Sequence, residues 1–187
     1  MRTTEILTGG NDVIIQEKPL HVFTNELMNK YTHLYDVYRD EQVGDLHLPF
    51  IAVYKRRDER YMITKKIKVY GVENQQIVYG YSSTEPITEQ FLKRFQETIM
   101  TSMNEYLPQN KDHMSTIFVG LIITDQQVDS KVLKEVVRFR KLKFLKYGLH
   151  GWAEIYIAII NPYEKLLKIH PKGKAFVSSL EKMLREE

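Results

Sequence analysis

The sequence predicts a single α/β (α+β) domain. A central mixed sheet would carry a three-strand antiparallel meander, with flanking helices and a C-terminal hairpin and helix. Three observations predict it. Thr116-Ile-Phe-Val-Gly-Leu-Ile-Ile-Thr124 is a nearly unbroken apolar run, which is how a strand buried on both faces reads. Helical stripes stand before and after a block of alternating segments. The 187 residues hold 43% hydrophobic and 27% charged side chains, which suits one ordinary globular core. There is no repeat, low-complexity tract or Gly/Ser linker, so residues 1–187 read as one domain.

Residues 1–18 show no period and are expected to be poorly ordered. Gly9-Gly-Asn-Asp12 is a loop signal. Pro19 suits a first helical turn. Phe23, Leu27, Tyr31, Leu34 and Tyr38 then recur three or four apart, so 20–38 is predicted as an amphipathic helix. Leu46–Tyr54 reads as a first strand and Arg56-Arg-Asp-Glu-Arg60 as a charged turn. Tyr61, Ile63, Ile67 and Val69 make 61–70 a second strand with one wet face. Gly71–Gln75 is a turn, and Ile77–Ser82 a third strand, which completes the meander.

Thr84-Glu-Pro86 opens the next helix, whose stripe is Phe91, Phe95, Ile99, Met103 and Tyr106. Pro108 ends it, and 109–113 is a loop. After strand 116–124, Ser130 is the expected cap of a basic helix over 131–146. Gly148 and Gly151 break the chain around His150. Ala153–Ile160 is a further apolar strand, Leu166–His170 its hairpin partner, and Ala175–Arg185 a closing helix.

The order helix, three strands, helix, strand resembles the restriction-endonuclease-like, or PD-(D/E)xK, superfamily over about residues 20–160. The resemblance implies an acid at the second strand, acid-x-Lys on the third, and often a glutamate from the first helix. Such a set would hold Mg²⁺ and activate water for phosphodiester cleavage. Glu26, Asp58, Glu59, Lys66 and Glu73 are the candidates here. The third strand, however, begins Gln75-Gln76-Ile77 and lacks the acid and lysine. Glu73-Asn-Gln75 lies in the expected turn, and Lys65 and Lys66 fall on another strand. A catalytically silent nuclease-like domain is therefore expected, with Mg²⁺ required only by an active alternative. Solvated acids at 58–59 and a Glu26–Lys30 pair on a helix surface would suit the same residues.

Other chemistry is thinner. There is no cysteine, which excludes disulfides, thiolate nucleophiles and Cys-ligated metals. The six histidines lack HExxH or another tight ligand spacing. His150, beside two glycines and Trp152, suits a ligand-contacting loop or simply a turn. Gly80-Tyr-Ser-Ser-Thr84 lacks the second glycine of a nucleophile elbow, and Gly173-Lys174 lacks the rest of a P-loop.

Charge is uneven. Residues 1–90 hold eleven Lys/Arg against thirteen Asp/Glu, and 91–187 hold sixteen against eleven. Lys131, Lys134, Arg138, Arg140, Lys141, Lys143 and Lys146 stand within sixteen residues beside one acid, Glu135. Cations interleaved with Phe139, Leu142 and Phe144 suit nucleic-acid phosphates, with aromatic rings available to single strands. They equally suit a solvated helix face. Leu166-Leu-Lys-Ile-His-Pro-Lys-Gly-Lys-Ala-Phe176 resembles the end of a winged-helix wing, which would make 131–146 a recognition helix. The competing class is a protein-interaction module, forming a homodimer or a heteromer and anchored by Tyr54, Tyr61, Tyr79 and Tyr81. No apolar run reaches membrane-helix length and the first residues lack a signal-peptide core, so a cytoplasmic, non-membrane protein is expected.

Overall fold

The structure, a computed structural model, describes residues 18–61, 68–107, 113–149 and 151–186. It is an open, mixed seven-stranded sheet with two helices on each face. In chain order the elements are α1 (Leu20–Tyr31), β1 (Asp36–Val43), β2 (Leu46–Tyr61), β3 (Lys68–Ser83), α2 (Glu89–Tyr106) and β4 (His113–Thr124). There follow α3 (Ser130–Arg138), β5 (Arg140–Phe144), β6 (Trp152–Asn161), β7 (Leu166–Ile169) and α4 (Ser178–Glu186). The strand order is β1-β2-β3-β4-β6-β5, with β7 also pairing β6. β1, β2 and β3 form the antiparallel meander, and β3, β4 and β6 run parallel. β5 and β7 return antiparallel on β6.

The expected central strand is β4, flanked by β3 and β6 and buried throughout Thr116–Thr124. Phe23, Leu27, Phe50, Val119, Leu121, Tyr156 and Leu180 pack on the α1/α4 face. Phe95, Ile99, Phe118, Ile122, Val132, Val136 and Ile157 pack on the α2/α3 face. Burying a leucine, isoleucine or phenylalanine stabilises by about 1.5–3 kcal/mol, so these two layers dominate the fold. Gly120 belongs to this design: a Cβ there would lie 2.4 Å from Ile99 Cδ1 and 2.8 Å from Phe95 Cε1. The missing side chain lets α2 approach the sheet.

Several boundaries differ from the sequence expectation. The first helix ends at Tyr31, not 38, and Asp36–Val43 is an additional strand. Leu34 and Tyr38 continue the 3.6-residue spacing but are exposed, so that spacing carried no burial. The meander is consequently β1–β2–β3. Arg56–Arg60 belongs to β2, and Gly71–Gln75 to β3, joined by register pairs such as Arg57 with Glu73. Ladder pairing overrides turn-like composition there. Residues 62–67, with Lys65 and Lys66, lie outside the described residues, as do 1–17 and His150.

The basic segment is helical only to Arg138, and 140–144 is strand β5. The cap of α3 is Asp129, whose carboxylate accepts the Lys131 N–H at 2.7 Å, rather than Ser130. Pro171–Val177 is a 3-10 segment, which delays the closing helix to Ser178.

Candidate nucleic-acid interface: a basic rim along β6

α3 and β5 follow each other along the outer side of β6. Asp129 starts α3 by capping, and Val132 and Val136 fix its inner face in the core. Lys131, Lys134 and Arg138, spaced three and four apart, are thereby left on its exposed face. The chain then enters β5, in register from Arg140 opposite Tyr156 to Phe144 opposite Trp152. At about 1.5 Å per helical and 3.3 Å per strand residue, the two elements make a rim roughly 30 Å long.

Strand alternation sorts the cations of β5. Lys143 Nζ donates to Asn104 Oδ1 of α2 at 3.0 Å, and Lys141, two residues away, shares its face. Arg140 lies on the other face and turns inward. Its Nε and Nη2 donate to the two Glu154 carboxylate oxygens at 3.1 Å each, and Nε also reaches the Tyr156 hydroxyl at 3.3 Å. Tyr156 in turn donates to Glu154.

Burial alone pushes the Glu154 carboxyl up, but the Arg140 and Tyr156 hydrogen bonds and the nearby Lys172 charge hold it below its ordinary range. Burial and the Glu154 bond raise the Tyr156 hydroxyl. The Arg140 guanidinium is held still more firmly protonated, chiefly by Glu154. Arg140 is thus a fastener of β5 to β6 rather than a free phosphate ligand. Glu154 and Tyr156 escaped the sequence reading, although a lone acid inside an apolar strand signals a buried partner.

From Leu142 onward the chain exposes apolar side chains. Leu142 is 43% exposed, Phe144 63%, Leu149 80% and Tyr147 fully. The other cations, Lys131, Lys134, Arg138, Lys141 and Lys146, have no carboxylate within ion-pair distance among the described residues. β5 ends the sheet, so its outer edge carries no strand among those residues.

The nuclease candidates form no metal cluster among the described residues. Glu26 on α1 pairs with Lys18 at 2.6 Å, not with Lys30. Asp58 and Glu59 lie in β2, and register sets Arg57, not Asp58, opposite Glu73. Glu73 is in a strand rather than a turn, opposite His113 of β4, and accepts from Gln75 Nε2 at 2.7 Å. Gln75 therefore occupies the place two residues beyond the acid where a lysine is needed. No three His, Asp or Glu side chains among the described residues come together as metal ligands. The Mg²⁺ set implied by the resemblance is not assembled among the described residues, and Lys66 and the side chains of Asp58 and Glu59 lie outside them.

Of the four tyrosines read as interface anchors, Tyr79 is wholly buried, Tyr54 and Tyr81 are half-buried, and the side chain of Tyr61 lies outside the described residues. Tyr81 packs on Phe91 at 4.7 Å and Tyr54 on Tyr35 at 5.4 Å between ring centres. Tyr79 is a core residue, not an interface anchor. The winged-helix likeness fails too, because 116–124 is a central strand and the supposed recognition helix stops at Arg138.

Residues 21–182 match a family described as a domain of unknown function, DUF8052. The chain belongs to the DUF8052 family. No curated protein and no solved structure matches it. The DUF8052 span contains all seven strands and the whole basic rim. Among the described residues, no helix of this DUF8052 protein is long and apolar enough to cross a membrane.

Proposed function

We propose that this protein is a nuclease-like domain without nuclease chemistry, and that it binds nucleic acid along the α3–β5 rim. One observation carries the reading. Lys131, Lys134, Arg138, Lys141 and Lys146 follow one another on an exposed rim without carboxylate partners among the described residues. Phosphates attract such a row by releasing their counterions, and the exposed apolar groups between the cations leave room for bases. The order α1, β1–β3, α2, β4 still supplies the pieces on which the nuclease resemblance rests, while Gln75 replaces the lysine that cleavage requires.

The same edge is poorly suited to self-association. Antiparallel pairing of β5 with its own copy about Leu142 would set Lys141 opposite Lys143, and like charges directly opposite destabilise a ladder. A polyanion removes that conflict.

The test is fluorescence anisotropy with mixed-sequence oligonucleotides across a salt series. Each neutralised phosphate contributes about −0.7 on single strands and −0.9 on duplex to the slope of log affinity against log salt. Replacing Arg138 and Lys141 by alanine should flatten that slope by about 1.4 to 1.8 units with little change in sequence preference. Absence of wild-type binding at low salt would refute the reading.

A further inference from the structure

The hairpin that joins β5 to β6 is built at a conformational cost. Its turn is closed by Leu145 N–H donating to Gly151 O at 3.0 Å and Leu149 N–H to Lys146 O at 3.1 Å. Lys146 and Tyr147 both occupy the left-handed region, with φ of 44° and 57°. Asn-Gly and similar pairs fill two consecutive left-handed positions readily. Lysine and tyrosine do not, because Cβ crowds the carbonyl there. Among the described residues the strain supports no side-chain packing that accounts for it: Tyr147 is fully exposed, and Leu149 and Phe144 are largely so. What the turn accomplishes is to hold an aromatic ring and an ammonium in solvent at the end of the cationic rim. Strained positions of this kind concentrate where a ligand is met.

We propose that the tip of this hairpin is a base-stacking platform, so that the rim takes single-stranded rather than duplex nucleic acid. This rests on the nucleic-acid reading above and specifies its substrate class. Tyr147 and Phe144 supply the ring faces, Lys146 adjoins Tyr147 in the turn, and Lys141 and Lys143 stand on the opposite face of the same exposed edge strand for a backbone that follows the edge. A duplex hides its base faces in the stack and offers these rings nothing. A single strand exposes both bases and phosphates, and aromatic stacking is tolerant of sequence. The register of β5 on β6, locked by Arg140 and Glu154, fixes where the platform stands relative to the lysines.

The experiment compares oligothymidylate with the same strand annealed to oligoadenylate, using wild type, Phe144→Ala/Tyr147→Ala, and the ring-preserving pair Phe144→Tyr/Tyr147→Phe. The expected result is tighter binding of the single strand by wild type. The alanine pair should lose at least about 5-fold and as much as 150-fold per stacked ring, with the salt slope unchanged and the ring-preserving pair restoring affinity. Both side chains are exposed, and circular dichroism checks that the variants fold. Equal or tighter duplex binding by wild type would overturn the platform while leaving the basic-rim reading in place. So would an alanine pair that binds the single strand within twofold of wild type. Failure to bind either probe at low salt would overturn both.

Discussion

Removing the Glu154 carboxylate should loosen the edge strand on which the rim depends. Glu154→Ala deletes two charge-assisted bonds to Arg140 and the acceptor of the Tyr156 hydroxyl. Breaking a fully buried ion pair costs about 3–5 kcal/mol, whereas an exposed pair contributes at most about 1 kcal/mol. Here the side chains are 28% and 15% exposed, so Arg140 can recover part of its hydration and the expected loss is about 2 kcal/mol. Urea unfolding measures it, with Trp152 fluorescence as the probe, since Trp152 sits opposite Phe144 in the β5–β6 ladder. Backbone hydrogen exchange should quicken in 140–144 before it does in 116–124.

The loss should also depend on pH. The folded Glu154 carboxyl lies below its ordinary range, so its contribution is complete above the unfolded carboxylate value of about 4.3 and vanishes as pH falls through the lower folded value. The stability gap between wild type and Glu154→Gln should therefore be widest near neutrality and close in acid. A Glu154→Ala variant within 0.5 kcal/mol of wild type, a figure typical of ordinary surface changes, would refute the clamp.

Three further outcomes are expected. Gly151→Ala should cost more than about 2 kcal/mol, because φ is +75° and the new Cβ would fall 2.0 Å from the Met114 carbonyl oxygen; a thermal melt unchanged from wild type would contradict this backbone geometry. Lys146→Gly should gain about 0.5 kcal/mol, as relief of left-handed strain exceeds the entropy cost of glycine, while the salt slope on single strands flattens by about 0.7. Mg²⁺ or Mn²⁺ should support no cleavage of DNA or RNA; cleavage abolished by Glu73→Ala would show that an atypical acid set works without the missing lysine.

The buried elements were legible because burial writes itself into composition. The unbroken runs at 116–124 and 153–160 and the stripe from Phe91 to Tyr106 each correspond to an observed element. The edges were not legible in the same way. β1 was hidden because Leu34 and Tyr38 happened to continue the spacing of α1. The far halves of β2 and β3 were misdivided: Arg56–Arg60 and Gly71–Gln75 have turn-like composition and set 61–70 apart as a separate strand, whereas the ladder runs through both stretches.

β5 shows a short-range ambiguity. Arg140-Lys-Leu-Lys-Phe144 alternates with period two, yet five residues appended to a nine-residue helix extend a helical reading easily. The cations of the rim were found as a group, but which would be free was not. Arg140 and Lys141 are chemically similar neighbours in sequence, and only the strand's alternation turns one toward Glu154 and the other outward.

The most direct measurement is a lysine-modification footprint of the protein with and without a saturating single-stranded oligonucleotide at low salt. Binding along the rim predicts protection of Lys134, Lys141, Lys143 and Lys146, with Lys55, Lys93 and Lys182 reacting as in the free protein. Protection centred on Lys93 or Lys182, or no protection anywhere on the rim, would contradict the account.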